Sequence, residues 1–286
     1  MTLTAGQLAM RREGVTSTDI AAICGLNPYR TPLAVYLDKI GRPLEVKESD
    51  AMYWGNALED DVIQRFRETH PQWEVWGAND THQNHERPWM LATPDGHVED
   101  GSDVPPPLEV KVVISFEQVR RWGKVTKAPE EYVIQCHWEA GVLNADKTYL
   151  APLLGTYHGL EYREFTIRRD EALLRKLIEI GERFLIHNVG ERIPPPPSGF
   201  IVDFAALRAL HPDVDRDIRQ ATAEEAVLLD ELAVAEDWAK ERDKLKQRAM
   251  AAIGDAYGIE SEDHKAIWYA SGESRTFRLL RKGESP

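Results

Sequence analysis

Cysteine is almost missing from this chain: Cys24 and Cys136 are the only two among 286 residues. An iron–sulfur cluster is held by about four thiolates, so none is expected, and two cysteines in apolar surroundings read as reduced core residues. No stretch approaches the roughly twenty consecutive apolar residues that a membrane helix requires. Met1 is followed by polar residues and then Arg11 and Arg12, without the apolar core of a secretion signal, and the expected location is the cytoplasm. Positive charge is also scarce. A formal charge of −13 argues against a general nucleic-acid coat, because Lys and Arg on phosphates supply most non-specific affinity. It leaves room for a cleft that gathers basic residues locally while acidic outer surfaces keep the chain soluble. Arg11, Arg12, Arg30, Arg120, Arg121, Lys124 and Lys127 are the candidates.

What is present is an ordinary globular composition, 42% hydrophobic and 29% charged, long enough for one large domain or a domain with an appendage. Its most informative stretch runs over residues 90–111. There Pro94-Asp95-Gly96 follows an apolar run, and Leu108-Glu109-Val110-Lys111 alternates with the period of a strand. Period two puts Glu109 and Lys111 on one face and Leu108, Val110 and Val112 on the other. An acid beside a lysine on a strand whose other face is buried suits a divalent cation and a polarised water, with Asp95 adding a second carboxylate from the neighbouring strand.

In chain order, Thr16, Ser17 or Thr18 can cap a short helix ending near Gly25, and Pro32 opens a second with Leu33, Val35, Tyr36, Leu37 and Ile40 on its apolar side. With Arg11 and Arg12 upstream, the same hydroxyls and free amides also form an anion site. Residues 50–69 space Met52, Leu58, Val62, Ile63 and Phe66 as a helix. Glu59 falls on its inward side, where a carboxylate needs a partner such as a metal, although Asp60 and Asp61 adjoin it at the solvent edge. Strands are expected over 73–77, 81–85, 89–93 and 108–114, with turn chemistry at Asp100-Gly101-Ser102 and an extended Pro105-Pro106-Pro107 approach. His82 and His85 lack a third ligand at metal spacing and read as strand-surface histidines. A helix over 130–143 presents Gln135, Trp138 and Glu139 on one face. Strands over 147–153 and 160–167 and an amphipathic helix from Asp170 to about Gly190 follow, and Pro194 to Pro197 mark a boundary between units 1–197 and 198–286. Beyond it, residues 213–256 read as one or two long helices with Ile218, Leu228, Leu232, Ala235, Ala239 and Leu245 facing inward. Residues 265–281 read as a hairpin turning near Gly272. This arm and hairpin are an oligomer contact or a DNA-facing clamp.

An acid on a helix (Glu59), Pro-Asp on a strand, Glu-Val-Lys on the next strand and Gln135 on a following helix: this order resembles the PD-(D/E)xK nuclease superfamily. Within it, roughly the first two hundred residues look like the lambda-exonuclease or YqaJ-type viral recombinase family. The resemblance implies an α/β fold, a restriction-endonuclease-like core with a mixed central sheet flanked by helices, here followed by a C-terminal helical arm and β-hairpin. Mg²⁺, with Mn²⁺ as a substitute, is expected on Asp95, Glu109, the Val110 carbonyl and Glu59. Lys111 is assigned to orient the attacking water, and Gln135 to hold that water or the scissile phosphate. By the same likeness Arg12, Thr18 and Thr93 take a terminal 5′-phosphate, Thr16-Ser17-Thr18-Asp19 standing where the family has Gly-Gly-Ser-Asp. The implied activity is a 5′-to-3′ exonuclease on linear double-stranded DNA ends that leaves 3′ overhangs for phage-type recombination. A bacterial or phage-infected cell is the implied setting, a ring of three subunits the implied assembly, and a single-strand annealing protein the implied partner. An endonuclease or nickase on the same core, or a DNA-end-binding scaffold without turnover, are the alternatives.

Overall fold

Hydroxyl caps set where the first helices begin. After α1 (Ala5–Glu13), Thr16 and Asp19 form a capping box on α2 (Ser17–Ile23), Thr31 caps α3 (Pro32–Lys39) with Pro32 in its first turn, and Ser49 caps α4 (Asp50–Thr69). The chain then lays down β1 (Glu74–Trp76), β2 (His82–Gln83), β3 (Leu91–Ala92), β4 (Gly96–Glu99) and β5 (Pro107–Val113). Next come α5 (Phe116–Val119), a 3-10 turn and α6 (Glu130–Leu143). They carry the chain to β6 (Lys147–Thr156), which runs parallel to β5 and so needs a crossover. The main sheet has the order β1-β4-β5-β6 and ends on β7 (Gly159–Tyr162), while β8 (Phe165–Arg168) also pairs with β6. β2 and β3 form a separate ladder. Then follow α7 (Glu171–Arg183), a π-helical turn, and α8 (Val202–Leu210).

These elements belong to a compact unit Met1–Val214, and a second unit spans Asp215–Pro286. The computed structural model describes residues 5–77, 80–123, 127–212, 218–271 and 274–281. The second unit holds α9 (Ala223–Ile253) and a three-stranded sheet, β11 (Ser274–Arg281) to β10 (His264–Ser271) to β9 (Gly258–Glu260). Among the described residues no helix is long and apolar enough to cross a membrane.

In the first unit the sheet is held between two helices. Val62, Ile63 and Phe66 of α4 pack with Val98, Leu108, Val110 and Tyr149. Cys136 of α6 packs with Val113, Trp122, Leu150 and Leu154. The mixed sheet flanked by helices is the expected α/β core. Several boundaries differ from the sequence reading, each for a physical reason. The strand beside β5 is β4, not the 89–93 run, because Pro94 has no N–H to continue a ladder and pairing resumes at Gly96. The 160–167 run is two strands. The first unit extends past Pro197 to include α8: Ala206 is fully buried against α3, and the Thr31 hydroxyl donates to Asp203 Oδ1 at 2.6 Å. The inward candidates of the arm point to water, with Leu228 63%, Leu232 55%, Leu245 52% and Ile218 99% exposed. Asp213, Lys124 and the turn at Gly272 lie outside the described residues.

Phe66 is fully buried beside Trp73 and Tyr149. Phe66→Ala is expected to lower stability by about 3–5 kcal/mol, read from the urea midpoint; a change under about 1 kcal/mol would contradict the packing described.

Candidate active site

β4 and β5 part company at Asp95, and that fork organises the site. The Asp95 amide donates to the Leu108 carbonyl at 3.0 Å, and one step further along β5 the Asp95 side chain, through Oδ2, accepts the Val110 amide at 2.7 Å. A carboxylate thus takes the place of the next rung of the ladder. Because a strand residue sends its N–H and C=O to the same edge, the Val110 carbonyl also faces this fork.

Glu109, 2% exposed, projects toward α6 from the opposite face to Leu108 and Val110. Its Oε1 accepts from Lys111 Nζ and, at 2.6 Å, from Gln135 Nε2. One helical turn on, Glu139 is fully buried, and its Oε1 accepts from the same Gln135 nitrogen at 3.2 Å. Glu139 Oε2 makes no hydrogen bond of normal geometry, although the Ser17 hydroxyl acts on this carboxylate. Glu59, half-buried on α4, lies within electrostatic reach of Glu109 and Lys111.

The electrostatics are unbalanced. Burial, then the Glu109 charge, push Asp95 well above the usual carboxylate range, and the same two causes act on Glu139. Burial first, with Glu109 and Asp60 adding to it, also raises Glu59. Burial alone would lower Lys111, but Glu109 and Asp95 outweigh it and hold the ammonium charged, with Nζ 5.4 Å from the Tyr132 ring centre. Four carboxylates therefore share one ammonium. Among the described residues no three His, Cys, Asp or Glu side chains gather at metal-holding spacing, so Glu59 is not part of a three-acid ligand set in this arrangement. Asp95, Glu109 and the Val110 carbonyl are nevertheless hard oxygen donors in a negatively charged fork. A small divalent cation that keeps most of its waters asks for one or two carboxylates of this kind.

A second cluster lies just upstream of the fork. The loop between α1 and α2 is laced to the strand edge, Val15 N to Trp89 O at 2.7 Å and Leu91 N to Val15 O at 2.9 Å. A side chain at Gly14 would run into the Trp89 carbonyl and Leu91. This lacing brings Arg11 to Thr18 and Thr93, each hydroxyl 3.4 Å from one guanidinium nitrogen. Thr16 adjoins Thr18, and Thr81 adjoins Thr93, both at 3.1 Å. The arginine brought to these hydroxyls is thus Arg11, whereas Arg12, assigned there from the sequence, is exposed on α1. Period 3.6 gives the reason: adjacent helical residues point about 100° apart, and only one can face the loop. Thr93 and Asp95 are separated by Pro94 alone.

Asp19 anchors this wing. It is 2% exposed and binds Lys39 at 2.6 Å and Arg30 at 2.8 Å, and Arg30 also binds Asp38 at 2.8 Å. Arg30 is therefore committed to structure, while Arg120, Arg121 and Lys127 are exposed, Arg121 in an ion pair with Glu131. His82 faces His97 at 3.2 Å, not His85, because β2 and β4 bring those two rings together. Sequence reasoning placed Glu139 on the right helical face but gave it no role, and the ligands of Asp19 had no local signal at all.

Residues 7–147 match the model of the YqaJ-like viral recombinase domain. The chain is 31% identical over 180 residues to the uncharacterized protein YqaJ of Bacillus subtilis strain 168, covering 62% of this chain and 54% of that relative. It thus spans about half the length of the curated relative it matches. The fold is similar to that of an alkaline exonuclease from Laribacter hongkongensis, with TM-score 0.53 and 18% identity over 66% of this chain and 94% of the other, an enzyme also solved in complex with dAMP. A putative exonuclease from Eubacterium rectale gives TM-score 0.50 and 12% identity over 79% of this chain and 98% of the other.

Burial would raise the Asp19 carboxyl, but Lys39 and Arg30 reverse this and hold it far below the usual range. A depressed folded value means that its stabilisation is present above the unfolded value near pH 4 and is lost as pH falls below it. Asp19→Asn is expected to cost about 3–5 kcal/mol at pH 7 and progressively less as pH falls below about 4. Equal losses at pH 7 and pH 3, by chemical denaturation, would remove the ion pairs as the cause.

Proposed function

From the match of residues 7–147 to the YqaJ-like viral recombinase domain model, we propose that the chain is a divalent-cation-dependent deoxyribonuclease that degrades linear double-stranded DNA from its 5′ ends. The observation that carries this reading is the fork itself, with Asp95, Glu109, Lys111 and Gln135 joined by hydrogen bonds and Arg11, Thr18 and Thr93 clustered one proline away.

Asp95, Glu109 and the Val110 carbonyl are the residues to hold Mg²⁺, or Mn²⁺ in its place, with Glu59 acting through water. The bound cation supplies charge neutralisation on the scissile phosphate and activation of water. Hydrolysis adds water to phosphorus, breaks the bond to the 3′-oxygen and leaves that oxygen protonated. Lys111, held by Glu109, orients the attacking water and stabilises it as it loses its proton. Both hydrogens of the Gln135 amide are engaged, one by Glu109 and one by Glu139; when substrate enters, the hydrogen on Glu109 turns to the phosphate or the water while Glu139 keeps the amide in place. Arg11 and the threonine hydroxyls take the terminal phosphate of the strand being cut. A terminal phosphate seated there sets the position of the next phosphodiester, which favours removal from an end over internal cutting. The dAMP complex of the Laribacter enzyme shows that a relative of this fold accepts a deoxynucleotide. The exposed Arg120 and Lys127 are cationic contacts for the duplex backbone, compensating locally for the charge of −13. A ring of three subunits, 3′ overhangs and a single-strand annealing partner belong to the same proposal.

End-labelled linear duplex and covalently closed circles, each with and without Mg²⁺, are the test. Linear DNA with 5′-phosphates should be digested only with the cation, circles should survive, and Glu109→Ala or Lys111→Ala should slow digestion by roughly a hundredfold or more. Nicked circles would make the chain an endonuclease, and wild-type inertness in both Mg²⁺ and Mn²⁺ would leave an end-binding scaffold. Mg²⁺ should also raise the melting temperature of the wild type and fail to raise that of Asp95→Asn.

Arg11→Ala should reduce the preference for 5′-phosphate over 5′-hydroxyl ends while changing the rate on hydroxyl ends only a few-fold, and Arg12→Ala should leave the preference intact. The reverse pattern would return the phosphate to Arg12.

A further inference from the structure

The last two turns of α9 pack against their own hairpin: Ile253 is 3% exposed, and Lys246 lies 5.6 Å from the Phe277 ring centre. The preceding six turns carry their large apolar side chains into water. Val227 and Val234 are each 57% exposed, Trp238 is 71% and Leu245 52% exposed. At about 100° per residue these four fall within roughly 40° of one another along the helix, whereas the exposed Leu228, Leu229 and Leu232 lie about 100° to 200° away from that line.

Two features of this face identify what covers it. The first is spacing. The steps from Val227 to Val234 to Trp238 to Leu245 are seven, four and seven residues, so the series reads the same from either end. A two-fold contact, in which residue i meets j and j meets i, asks for this symmetry. The second is charge. The half of α9 over 223–236 has five acids and no base, whereas the half over 237–253 has five bases and three acids. Parallel pairing would set acid on acid, and antiparallel pairing sets the acidic half on the basic half.

We propose that α9 is the dimerisation element of this chain, pairing antiparallel with α9 of a second copy so that Val227 meets the partner copy's Leu245 and Val234 its Trp238. Each copy contributes on the order of several hundred Å² of apolar surface, approaching the ~800 Å² a side of a specific interface. The contact is isologous and cannot by itself close a three-membered ring, which is built from heterologous contacts. It stands independently of the nuclease reading, since it uses none of the site residues.

The full chain tests this by sedimentation equilibrium and by cross-linking. Val234→Lys with Trp238→Lys, at exposed positions that leave circular dichroism unchanged, should halve the assembly mass. Residues 227 and 245 of one helix are about 27 Å apart, too far for an intrachain disulfide. Oxidation should therefore cross-link the Val227→Cys, Leu245→Cys double variant, and an equimolar mixture of the two single variants, into dimers. Each single variant alone should stay at the wild-type background set by Cys24 and Cys136. A wild type monomeric at every concentration, a mass unchanged by the lysines, or dimers from Val227→Cys alone would each overturn the proposal.

Discussion

One ammonium among four carboxylates is the constraint on which the first unit turns. Lys111 is bonded to Glu109, raised by Glu109 and Asp95, and placed over Tyr132, while Glu59, Asp95 and Glu139 are pushed toward neutrality. Burying like charges together is unfavourable, and perturbed clusters of this kind gather at functional sites. The surrounding fold makes the cluster sustainable. α4 presses an apolar face on Leu108 and Val110, α6 brings Gln135 and Glu139 over Glu109, and the diverging strands leave the Asp95 carboxylate to finish the ladder.

Polar and apolar duties are separated along β5 by the alternation of its side chains. Residues 108 and 110 belong to the core shared with α4, and residues 109 and 111 to the charged face beneath α6. A single-residue slip in register would exchange these faces and bury a lysine among Val62, Ile63 and Phe66, so the site and the core specify the same pairing. The threonine cluster is coupled to this frame through backbone: Val15 is laced to the strand segment that leads through Thr93 and Pro94 into Asp95.

The second unit follows other rules. Its hairpin supplies a small sheet for the end of α9, and the rest of that helix is charged at both ends in opposite senses and apolar along one line. Isolated helices draw little stability from propensity alone and are secured by covering an apolar face. The proposed antiparallel pairing of two copies would cover the line of apolar side chains that α9 leaves exposed.

Period-two alternation at 108–111, helical spacing over 50–69 and 130–143, the cap among Thr16, Ser17 and Thr18, Pro32 in the first turn of α3 and Asp170 at the start of α7 are local signals, carried by neighbours within one turn or one pleat, and they were legible without coordinates. Glu109, Lys111 and Gln135 sit on elements that their own neighbours define, whereas Asp95 lies just before β4, and it was the order of the motifs along the chain, with the family resemblance, that grouped the four. Which strand lies beside β5, which of Arg11 and Arg12 reaches Thr18, that His82 meets His97, and that α8 belongs to the first unit are matters of contact between residues on different elements, from 7 to 172 positions apart. No local pattern encodes those distances. They follow from packing, where Pro94 ends one ladder, Gly14 lets the α1–α2 loop approach the strand, and Asp203 reaches back to Thr31.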